Sequence, residues 1–433
     1  MTASNLTLVK PETPAPTPPN KPSPADKITL AAYVVTLKAR GFCKLDDASS
    51  NYTRLFNRFN GNVLPLSFIE NDFSRWLFTT RQKCSYRSPS YIIYTLPHVV
   101  GTKFVPVATE FFTEPQTECL YVNTYRKYAP STDSASVSPL FLEYLERLVP
   151  DQAERHIFTQ WLSHIFQHPQ ERPSWHVMLT SEPGTGKGFL VESILHPLLH
   201  HTSVVSSFSH VMGKFSTMLA DNLLVLLDDP AQGSEDTQTK LKSLLSEERA
   251  YCEPKGLQGG MVQTYTRFIL ASNDARPLHL EANERRWWSP APLVHRHSKE
   301  ETQRFIKTLA DWLALPGSLC AVYNWFMAYD LKDFNPKHID QSANLKEMIG
   351  MSVNVHAQFL EHYITEHTVF TNAELMQAFD AHGTQRPGSR QVPHLLREAG
   401  YTSGRPRIDG KLTSLCYPSS MTLEAIRAAY KPF

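Results

Sequence analysis

Residues 180–188 read Thr-Ser-Glu-Pro-Gly-Thr-Gly-Lys-Gly, and this stretch decides the fold. It joins an apolar, strand-like segment, 175–179, to a helix-like segment, 189–199. Small residues at such a junction leave backbone N–H groups and the helix N-terminus facing an anion, and a terminal lysine adds positive charge. The stretch therefore predicts a strand–loop–helix unit that holds the phosphates of a nucleotide.

The loop departs at two positions from the pattern G-x-x-x-x-G-K-[ST] of nucleotide-binding loops. Ser181 stands at the first glycine, and Gly188 stands where a hydroxyl would normally contact Mg²⁺. A plain glycine-rich connection is the alternative interpretation of the loop taken alone. The predicted cofactors are ATP and Mg²⁺, and the residues predicted to hold the nucleotide are Pro183, Gly184, Thr185, Gly186, Lys187, Gly188 and Phe189.

Length and composition bound the class of protein. A chain of 433 residues with 41% hydrophobic and 20% charged residues is typical of a globular protein with two or three domains. No apolar run has the length of a membrane span and the N-terminus lacks a secretion signal, so we expect a cytoplasmic protein without a membrane partner. The six cysteines show no C-x-x-C spacing and predict neither a zinc site nor a disulfide framework.

Two carboxylates follow a short apolar run about 40 residues beyond the loop. Residues 222–229 read NLLVLLDD, which is typical of a buried parallel strand ending in acids. Mg²⁺ and an attacking water need negative charge at the carboxyl end of a strand beside a phosphate loop. We therefore predict that Asp228 holds the metal through water and that Asp229 polarises the water.

The next strand and the arginines after it complete a predicted catalytic set. Residues 267–273 predict a strand with Asn273 at its tip, where an amide can hydrogen-bond the γ-phosphate or the water. Arg285 and Arg286 are candidates for a guanidinium that reaches the γ-phosphate from a neighbouring subunit. Structural ion pairing is the alternative for the two arginines. The predicted catalytic residues are Lys187, Asp228, Asp229, Asn273, Arg285 and Arg286.

Residues 253–260 read EPKGLQGG and predict a hairpin with a basic, glycine-rich tip. In a ring assembly such a tip would project into the central channel, where Lys255 could contact the DNA backbone. An exposed hairpin without a function is the alternative.

Composition shifts divide the chain into four predicted regions. Residues 1–27 are proline-rich and predict a disordered tail. Residues 28–128 predict a small α+β region whose interleaved aromatics and arginines favour either an ordinary core with a charged face or a surface for single-stranded nucleic acid. The nucleotide-binding domain and its preceding helices cover 129–350, and a further domain covers 351–433.

The last region predicts a winged helix-turn-helix. Amphipathic stretches at 356–365, 372–382 and 390–400 precede two short strands around Asp409 and Gly410, a strong hairpin signal. Helix-in-groove binding with wing-to-phosphate contacts would follow, although winged helices also mediate protein contacts. The residues predicted to bind DNA are Lys255, Arg390, Arg397, Arg405, Arg407 and Lys411.

The ordered set of motifs resembles the superfamily three AAA+ helicases of viruses, phages and mobile elements, in particular the poxvirus- and phage-type primase-helicase branch. The resemblance rests on residues 183–188, the acids 228–229, Lys255, residues 272–273, the arginines 285–286 and the segment 330–336. It covers roughly residues 115–350. It implies an α/β fold with an AAA+ P-loop NTPase core, flanked by the small α+β region and the winged helix-turn-helix.

The function implied by this resemblance is ATP-dependent DNA unwinding during phage or mobile-element replication. The expected assembly is a homo-oligomeric ring, a hexamer, on single-stranded and forked DNA, with a separate primase or polymerase as a further partner. Two alternatives stay open: an AAA+ initiator or loader that remodels DNA without processive unwinding, and a DNA-binding regulator with a degenerate ATPase.

Overall fold

The computed structural model divides the chain into two compact units, Met1–Tyr125 and Arg126–Phe433. The residues it describes are 21–46, 53–86, 88–131, 136–212, 218–230, 235–252, 260–278, 280–383, 386–389, 391–408 and 410–430.

The first unit is a mixed α+β structure with two small sheets. One sheet has the strand order β3-β2-β1-β4 and the other the order β5-β7-β6. Its elements are α1 Pro24–Ala39, β1 Phe42–Leu45, β2 Arg54–Asn57, β3 Val63–Pro65, α2 Ser67–Thr80, a 3₁₀ helix Pro89–Thr95, β4 His98–Val99, β5 Thr102–Lys103, β6 Phe111–Thr113 and β7 Leu120–Asn123.

Helix α1 begins inside the predicted proline-rich tail. The Ser23 hydroxyl accepts a hydrogen bond from the Asp26 N–H while the Asp26 carboxylate accepts from the Ser23 N–H, and Pro24 occupies the first turn. Asp26 also accepts hydrogen bonds from the backbone and hydroxyl of Ser85. The tail prediction is therefore corrected for residues 24–27, and its first 20 residues lie outside the described part of the chain.

The second unit contains the phosphate loop and the larger sheet. Its elements up to the end of that sheet are α3 Pro139–Leu148, α4 Gln152–Gln167, β8 His176–Thr180, α5 Lys187–Phe189, a π-helix Leu190–Leu195, α6 His196–Leu199, β9 Thr202–Val205, α7 Phe208–Met212, α8 Met218–Asp221, β10 Leu224–Asp228, α9 Glu235–Ser246, β11 Arg249–Cys252, β12 Gly260–Gln263, β13 Arg267–Ser272 and β14 Trp287–Trp288. The strands β11 and β12 form a separate antiparallel hairpin.

The larger sheet is parallel and has the order β14-β8-β13-β10-β9. Every residue of β8 and β13 is buried, as are the first four of β10. Strands covered on both faces read as continuous apolar runs. The register pairs Thr180 with Ser272 and Asp228 with Ala271, so the carboxyl ends of β8, β13 and β10 meet at one edge.

The remainder of the second unit is mainly helical. Its elements are α10 Lys299–Leu313, α11 Ser318–Ala328, α12 Ala343–Glu366, α13 Asn372–Ala381, α14 Val392–Glu398, β15 Tyr401–Gly404, β16 Arg407–Ile408, β17 Lys411–Leu412, β18 Leu415–Pro418 and α15 Leu423–Ala429. Within the described ranges, no single helix could span a membrane, although the bent pair α10 and α11, at 96°, passes by length and composition alone.

The predicted winged helix-turn-helix is corrected. The hairpin at Gly410 forms between β16 and β17, but each of these strands has two residues and they pair separately from β15 and β18. Helix α12 starts at Ala343 and runs through the predicted domain boundary at 350. The amphipathic pattern located three helices, but it could not fix their lengths or the pairing of the short strands.

The predicted fold class, an AAA+ core joined to a winged helix, is also corrected. Over its described residues, the structure combines one five-stranded parallel sheet with five further sheets of two to four strands. A phosphate loop and an acid-tipped strand specify one strand–loop–helix unit and its neighbour, and many folds carry such a unit. The motifs therefore predicted the local structure correctly and could not determine the class.

Candidate nucleotide-phosphate site

The phosphate loop takes a backbone shape that glycine alone adopts easily. Gly184 and Gly186 have φ angles of 89° and 103°, in the left-handed region. A Cβ on Gly186 would lie 3.1 Å from Ile306 Cδ1 and 3.4 Å from Tyr144 Cε2. The second glycine is therefore required both by its conformation and by the close approach of its neighbours.

The two ends of the loop are bonded to neighbouring elements. The Ser181 N–H donates to the Ser272 carbonyl at 3.0 Å, and the Glu182 N–H donates to the Leu293 carbonyl at 3.0 Å. At the other end, the buried Tyr144 hydroxyl of α3 donates to the Gly186 carbonyl at 2.8 Å. The loop is therefore held in place by hydrogen bonds at both of its ends.

Lys187 lies largely buried at the end of the loop and contacts the tip of β13. Its Nζ donates to the Ser272 carbonyl at 2.8 Å and to Asn273 Oδ1 at 3.2 Å. Burial lowers the pKa of this ammonium, while the carboxylates of Asp229 and Asp228 act in the opposite direction. The burial of this positive charge is therefore unfavourable in the free protein.

Asp229 is the acid that the structure bonds to β13. Its carboxylate accepts from the Asn273 N–H at 3.2 Å, the Ser272 hydroxyl at 2.9 Å and the Asn273 amide at 3.3 Å. Those hydrogen bonds, the Asn273 backbone bond first, lower the pKa of Asp229. The predicted trio of Lys187, Asp229 and Asn273 therefore forms one network at the carboxyl edge of the sheet.

Asp228 is exposed at the end of β10, beside this network. Within the described ranges, no three His, Cys, Asp or Glu side chains form a group that could hold a metal ion. Mg²⁺ is commonly held by one or two carboxylates together with waters and substrate phosphates. The exposed carboxylate of Asp228 fits such a role. An added Cβ on Gly188 would meet nothing within 4 Å, so the loop has room for a hydroxyl that the sequence lacks.

The structure places Arg285 and Arg286 at the opposite edge of the sheet. Trp287 pairs with His176, the first residue of β8, whereas the loop follows the last. Five residues of strand separate the two edges by about 16 Å. Arg286 donates to the Ser246 hydroxyl at 2.8 Å and pairs with Glu284 at 3.6 Å. Neither arginine joins the phosphate site of its own chain.

The predicted DNA-binding residues are spread over two regions. Arg397 is exposed on α14 and donates to the Pro393 carbonyl at 3.2 Å. Arg405, Arg407 and Lys411 are exposed on and beside the β16–β17 hairpin. Lys255 and Arg390 lie outside the described residues. The three hairpin residues form a local basic group.

Sequence reasoning missed several residues of the site. Tyr144 and His295 both bond to the loop, and neither belongs to a spacing pattern around it. Ser272 was part of the strand-tip motif at 272–273 but was given no role in the site, where its hydroxyl donates to Asp229. The side chains from α3 and from the segment after β14 reach the loop only through tertiary packing.

A pocket opens beside the loop. It is lined by the apolar residues Val294, Phe305 and Ile306, the polar residues Tyr144, Thr185 and Thr302, and the cations Arg147 and Arg296. Its accessible volume of about 10 Å³ has room for about one water molecule.

Three comparisons with known proteins bear on this site. Residues 179–286 match a family of unknown function, DUF5906. The chain is 25% identical over 135 residues to the DNA primase-polymerase of Nitratiruptor phage NrS-1, a match that covers 30% of this chain and 19% of that protein. The chain thus spans about a fifth of that relative.

Solved structures of the NrS-1 C-terminal region are similar in fold. One apo structure aligns with a TM-score of 0.56 at 15% identity, covering 90% of this chain and 99% of that one. A second, the A form, aligns with a TM-score of 0.54 at 16% identity, covering 89% and 98%. The chain therefore shares its fold with this region over most of its length.

These comparisons overturn the helicase interpretation. The resemblance to superfamily three AAA+ helicases is wrong as a family assignment, because the matches are to a DNA primase-polymerase and to its C-terminal region. The predicted ATP-driven DNA helicase and hydrolase activities are wrong with it, and the comparisons favour neither alternative, the AAA+ initiator or loader or the DNA-binding regulator with a degenerate ATPase. A phosphate loop, an acidic strand end and an asparagine recur in proteins of many activities. Their order along the chain therefore does not identify a helicase.

Proposed function

We propose that this chain binds a nucleoside triphosphate together with Mg²⁺ at the phosphate loop, and that this binding serves DNA synthesis of the primase-polymerase kind. The network of Lys187, Asp229 and Asn273, opposite a loop of left-handed glycines, is the observation that carries the proposal. The similarity to a DNA primase-polymerase supports the link to DNA synthesis.

The phosphates are bound by groups already in place. Within the described chain, the N–H groups of Gly184, Thr185 and Gly186 donate to no protein acceptor. Three unpaired amides at the start of a helix attract an anion. Lys187 moves its ammonium from the Ser272 carbonyl to a phosphate oxygen. The negative charge of the phosphate then offsets the unfavourable burial of the ammonium.

ATP is the nucleotide that we propose, with Mg²⁺ held between the phosphates and Asp228. The carboxylate of Asp229, ionised at neutral pH because its pKa is lowered, keeps Asn273 fixed beside Lys187.

DNA is the proposed macromolecular partner. The exposed cations Arg405, Arg407 and Lys411 lie on or beside one short hairpin, where they can contact a phosphate backbone. The predicted contacts of Lys255, Arg390 and Arg397 remain part of this proposal.

A homo-oligomer, with the hexamer as its specific form, is a further part of the proposal. Arg285 and Arg286 lie at the edge of the sheet opposite the loop, so they can reach only the nucleotide of another copy. Sedimentation of the chain with and without nucleotide measures the assembly.

Calorimetric titration of the chain with ATP in the presence of Mg²⁺ tests the proposed site. Lys187→Ala removes the one buried cation of the loop and should weaken binding at least 100-fold, equivalent to about 3 kcal/mol. Lys307→Ala, on an exposed face of α10, is the matched control and should bind as the parent does. Equal affinity of Lys187→Ala and the parent would refute the site.

Incorporation of labelled nucleotides on a single-stranded DNA template tests the link to synthesis. The proposal expects DNA to tighten nucleotide binding, and it expects the synthesis that depends on this chain to fall in Lys187→Ala. If DNA does not change the nucleotide affinity and Lys187→Ala does not change synthesis, the site has no role in DNA synthesis.

A further inference from the structure

The segment that follows β14 runs beside the phosphate loop. Leu293 forms a parallel bridge with Ser181, and the Leu293 N–H donates to the Thr180 carbonyl at 2.9 Å. Two residues later, the His295 N–H donates to Glu182 Oε2 at 3.1 Å. The backbone of this segment therefore fixes where the His295 side chain starts.

The imidazole of His295 connects the loop to helix α10. Its Nε2 lies 3.2 Å from the Pro183 carbonyl oxygen, and its Nδ1 lies 2.9 Å from the Thr302 hydroxyl. A carbonyl oxygen only accepts, so Nε2 must carry a proton and donate. The buried Thr302 hydroxyl also lies 3.1 Å from the Ser298 carbonyl oxygen, so its single proton can be donated to that carbonyl or to Nδ1, and in either case the hydroxyl contacts the second ring nitrogen.

The Pro183 carbonyl determines the direction of the next amide. The peptide between Pro183 and Gly184 is planar and trans, because the chain has no cis peptide bonds in its described part. In a trans peptide the C=O and the N–H point in opposite directions. A hydrogen bond that holds the Pro183 oxygen on His295 therefore turns the Gly184 N–H away from the imidazole, as a donor with no protein acceptor.

The hydrogen bond to the Pro183 carbonyl matters most for the conformation of Gly184. With φ at 89° and no side chain, its two flanking peptides can rotate at little steric cost. Proline has no N–H, so the backbone of Pro183 can form hydrogen bonds only through its carbonyl oxygen. Within the described chain, the bond to His295 is the one that this oxygen makes. The loss of that bond frees the 183–184 peptide to flip.

We propose that His295 is a positioning residue for the nucleotide. Through the Pro183 carbonyl it orients the Gly184 amide toward the triphosphate without touching the ligand. This inference rests on the proposed function for its ligand, but the hold on the loop is a property of the free protein.

Substitutions that match one ring nitrogen at a time test the proposal. The amide nitrogen of glutamine reaches as far from the backbone as Nε2, whereas that of asparagine reaches only as far as Nδ1. His295→Gln can therefore keep the bond to Pro183, and His295→Asn can keep only the bond to Thr302. His297→Asn, an exposed histidine of the same segment, is the control.

Two measurements are made on each variant. The first is the dissociation constant for ATP with Mg²⁺, and the second is the NMR order parameter of the amides of residues 184–186 without nucleotide. We expect His295→Asn and His295→Ala to weaken binding about 5- to 10-fold, the value of about one hydrogen bond, and to lower the order parameter of the Gly184 amide. His295→Gln and His297→Asn should stay within about 2-fold of the parent, a margin well below one hydrogen bond.

The pattern across the variants decides the result. Equal losses of affinity in His295→Gln and His295→Asn, or an order parameter of the Gly184 amide that does not change in His295→Asn, would overturn the positioning role. A parent protein that fails to bind ATP would refute the proposed function, while the order parameters would still report whether His295 holds the loop.

Discussion

At the residue scale, the site of the free protein contains a buried ammonium group whose positive charge is unfavourable. Lys187 is largely buried and its pKa is lowered by that burial, although two carboxylates oppose the shift. The two carboxylates therefore offset only part of the cost of burying this charge in the free protein. Residues kept for binding often reduce stability in this way.

Lys187→Met should raise the stability of the free protein while it abolishes nucleotide binding. Removal of a partly desolvated charge is expected to change the free energy of unfolding by about 0.5–2 kcal/mol in the stabilising direction. The Ser272 carbonyl keeps its bond from the Ser181 N–H, so no backbone group is left unpaired. Urea unfolding without nucleotide measures the effect, and a clear loss of stability would contradict it.

The same substitution should change the pH dependence of stability. The folded pKa of Lys187 lies below its unfolded value, so between the two values the unfolded chain binds more protons. The free energy of unfolding should therefore rise with pH across that alkaline window, and this contribution should be missing in Lys187→Met. If the free energy of unfolding depends on pH in the same way in the parent and in Lys187→Met, burial does not disfavour the charge of Lys187.

Gly188 gives a gain-of-function prediction. The position is open, so Gly188→Ser should fold and place a hydroxyl where such loops usually contact Mg²⁺. We expect the ratio of ATP affinities measured with Mg²⁺ and with a chelator to increase, because serine adds a metal ligand. An unchanged ratio in a well-folded variant would mean that the ion lies away from the start of α5.

At the element scale, the apolar strands were the most predictable part of the structure. The runs 222–229 and 267–273 are confirmed as β10 and β13, because strands buried on both faces leave an unmistakable composition. The two-residue strand β14 carries no such signal. The pairing of Trp287 with His176 places Arg286 far from the loop. This pairing depends on tertiary structure, so the sequence pattern could not predict it.

A buried arginine links α9 to the sheet. The Arg172 guanidinium donates to the carbonyls of Glu247 at 2.5 Å and Leu244 at 2.8 Å, at the C-terminal end of α9. Burial lowers its pKa to about 10, which leaves it charged at neutral pH. The cation therefore satisfies carbonyls that the helix cannot pair itself.

Arg172→Ala should destabilise the protein by about 2–4 kcal/mol, because it removes hydrogen bonds to partly buried carbonyls at the end of α9 and opens a cavity. Denaturant unfolding measures the loss. Arg304→Ala, which removes an exposed guanidinium from α10, should change stability by less than about 0.5 kcal/mol. Similar values for the two variants would show that Arg172 does not cap α9.

At the scale of the whole molecule, charge divides with the two units. Residues 21–125 contain twelve Lys and Arg and eight Asp and Glu, a balance of +4, whereas residues 126–433 contain 30 and 33, a balance of −3. The total of +1 conceals this asymmetry. The groups that contact the phosphate loop, by contrast, all belong to the second unit.

Residues 126–433 should therefore bind ATP without the first unit. The largest described core cluster, which includes Met178, Val225 and Phe268, is confined to this unit, so we expect it to fold alone. Titration of this fragment should give a dissociation constant within about 3-fold of the full chain, a difference smaller than one hydrogen bond. A folded fragment with no affinity would show that the site needs residues 1–125.

The central claim is that the loop of residues 180–188 holds a triphosphate and Mg²⁺. A crystal structure of the chain with Mg²⁺ and a non-hydrolysable ATP analogue tests it most directly. The account predicts phosphates within hydrogen-bond distance of the Gly184–Gly186 amides, Lys187 Nζ moved from the Ser272 carbonyl onto a phosphate oxygen, and the ion beside Asp228. Phosphates bound elsewhere, or a Lys187 still on Ser272 at saturating analogue, would contradict it.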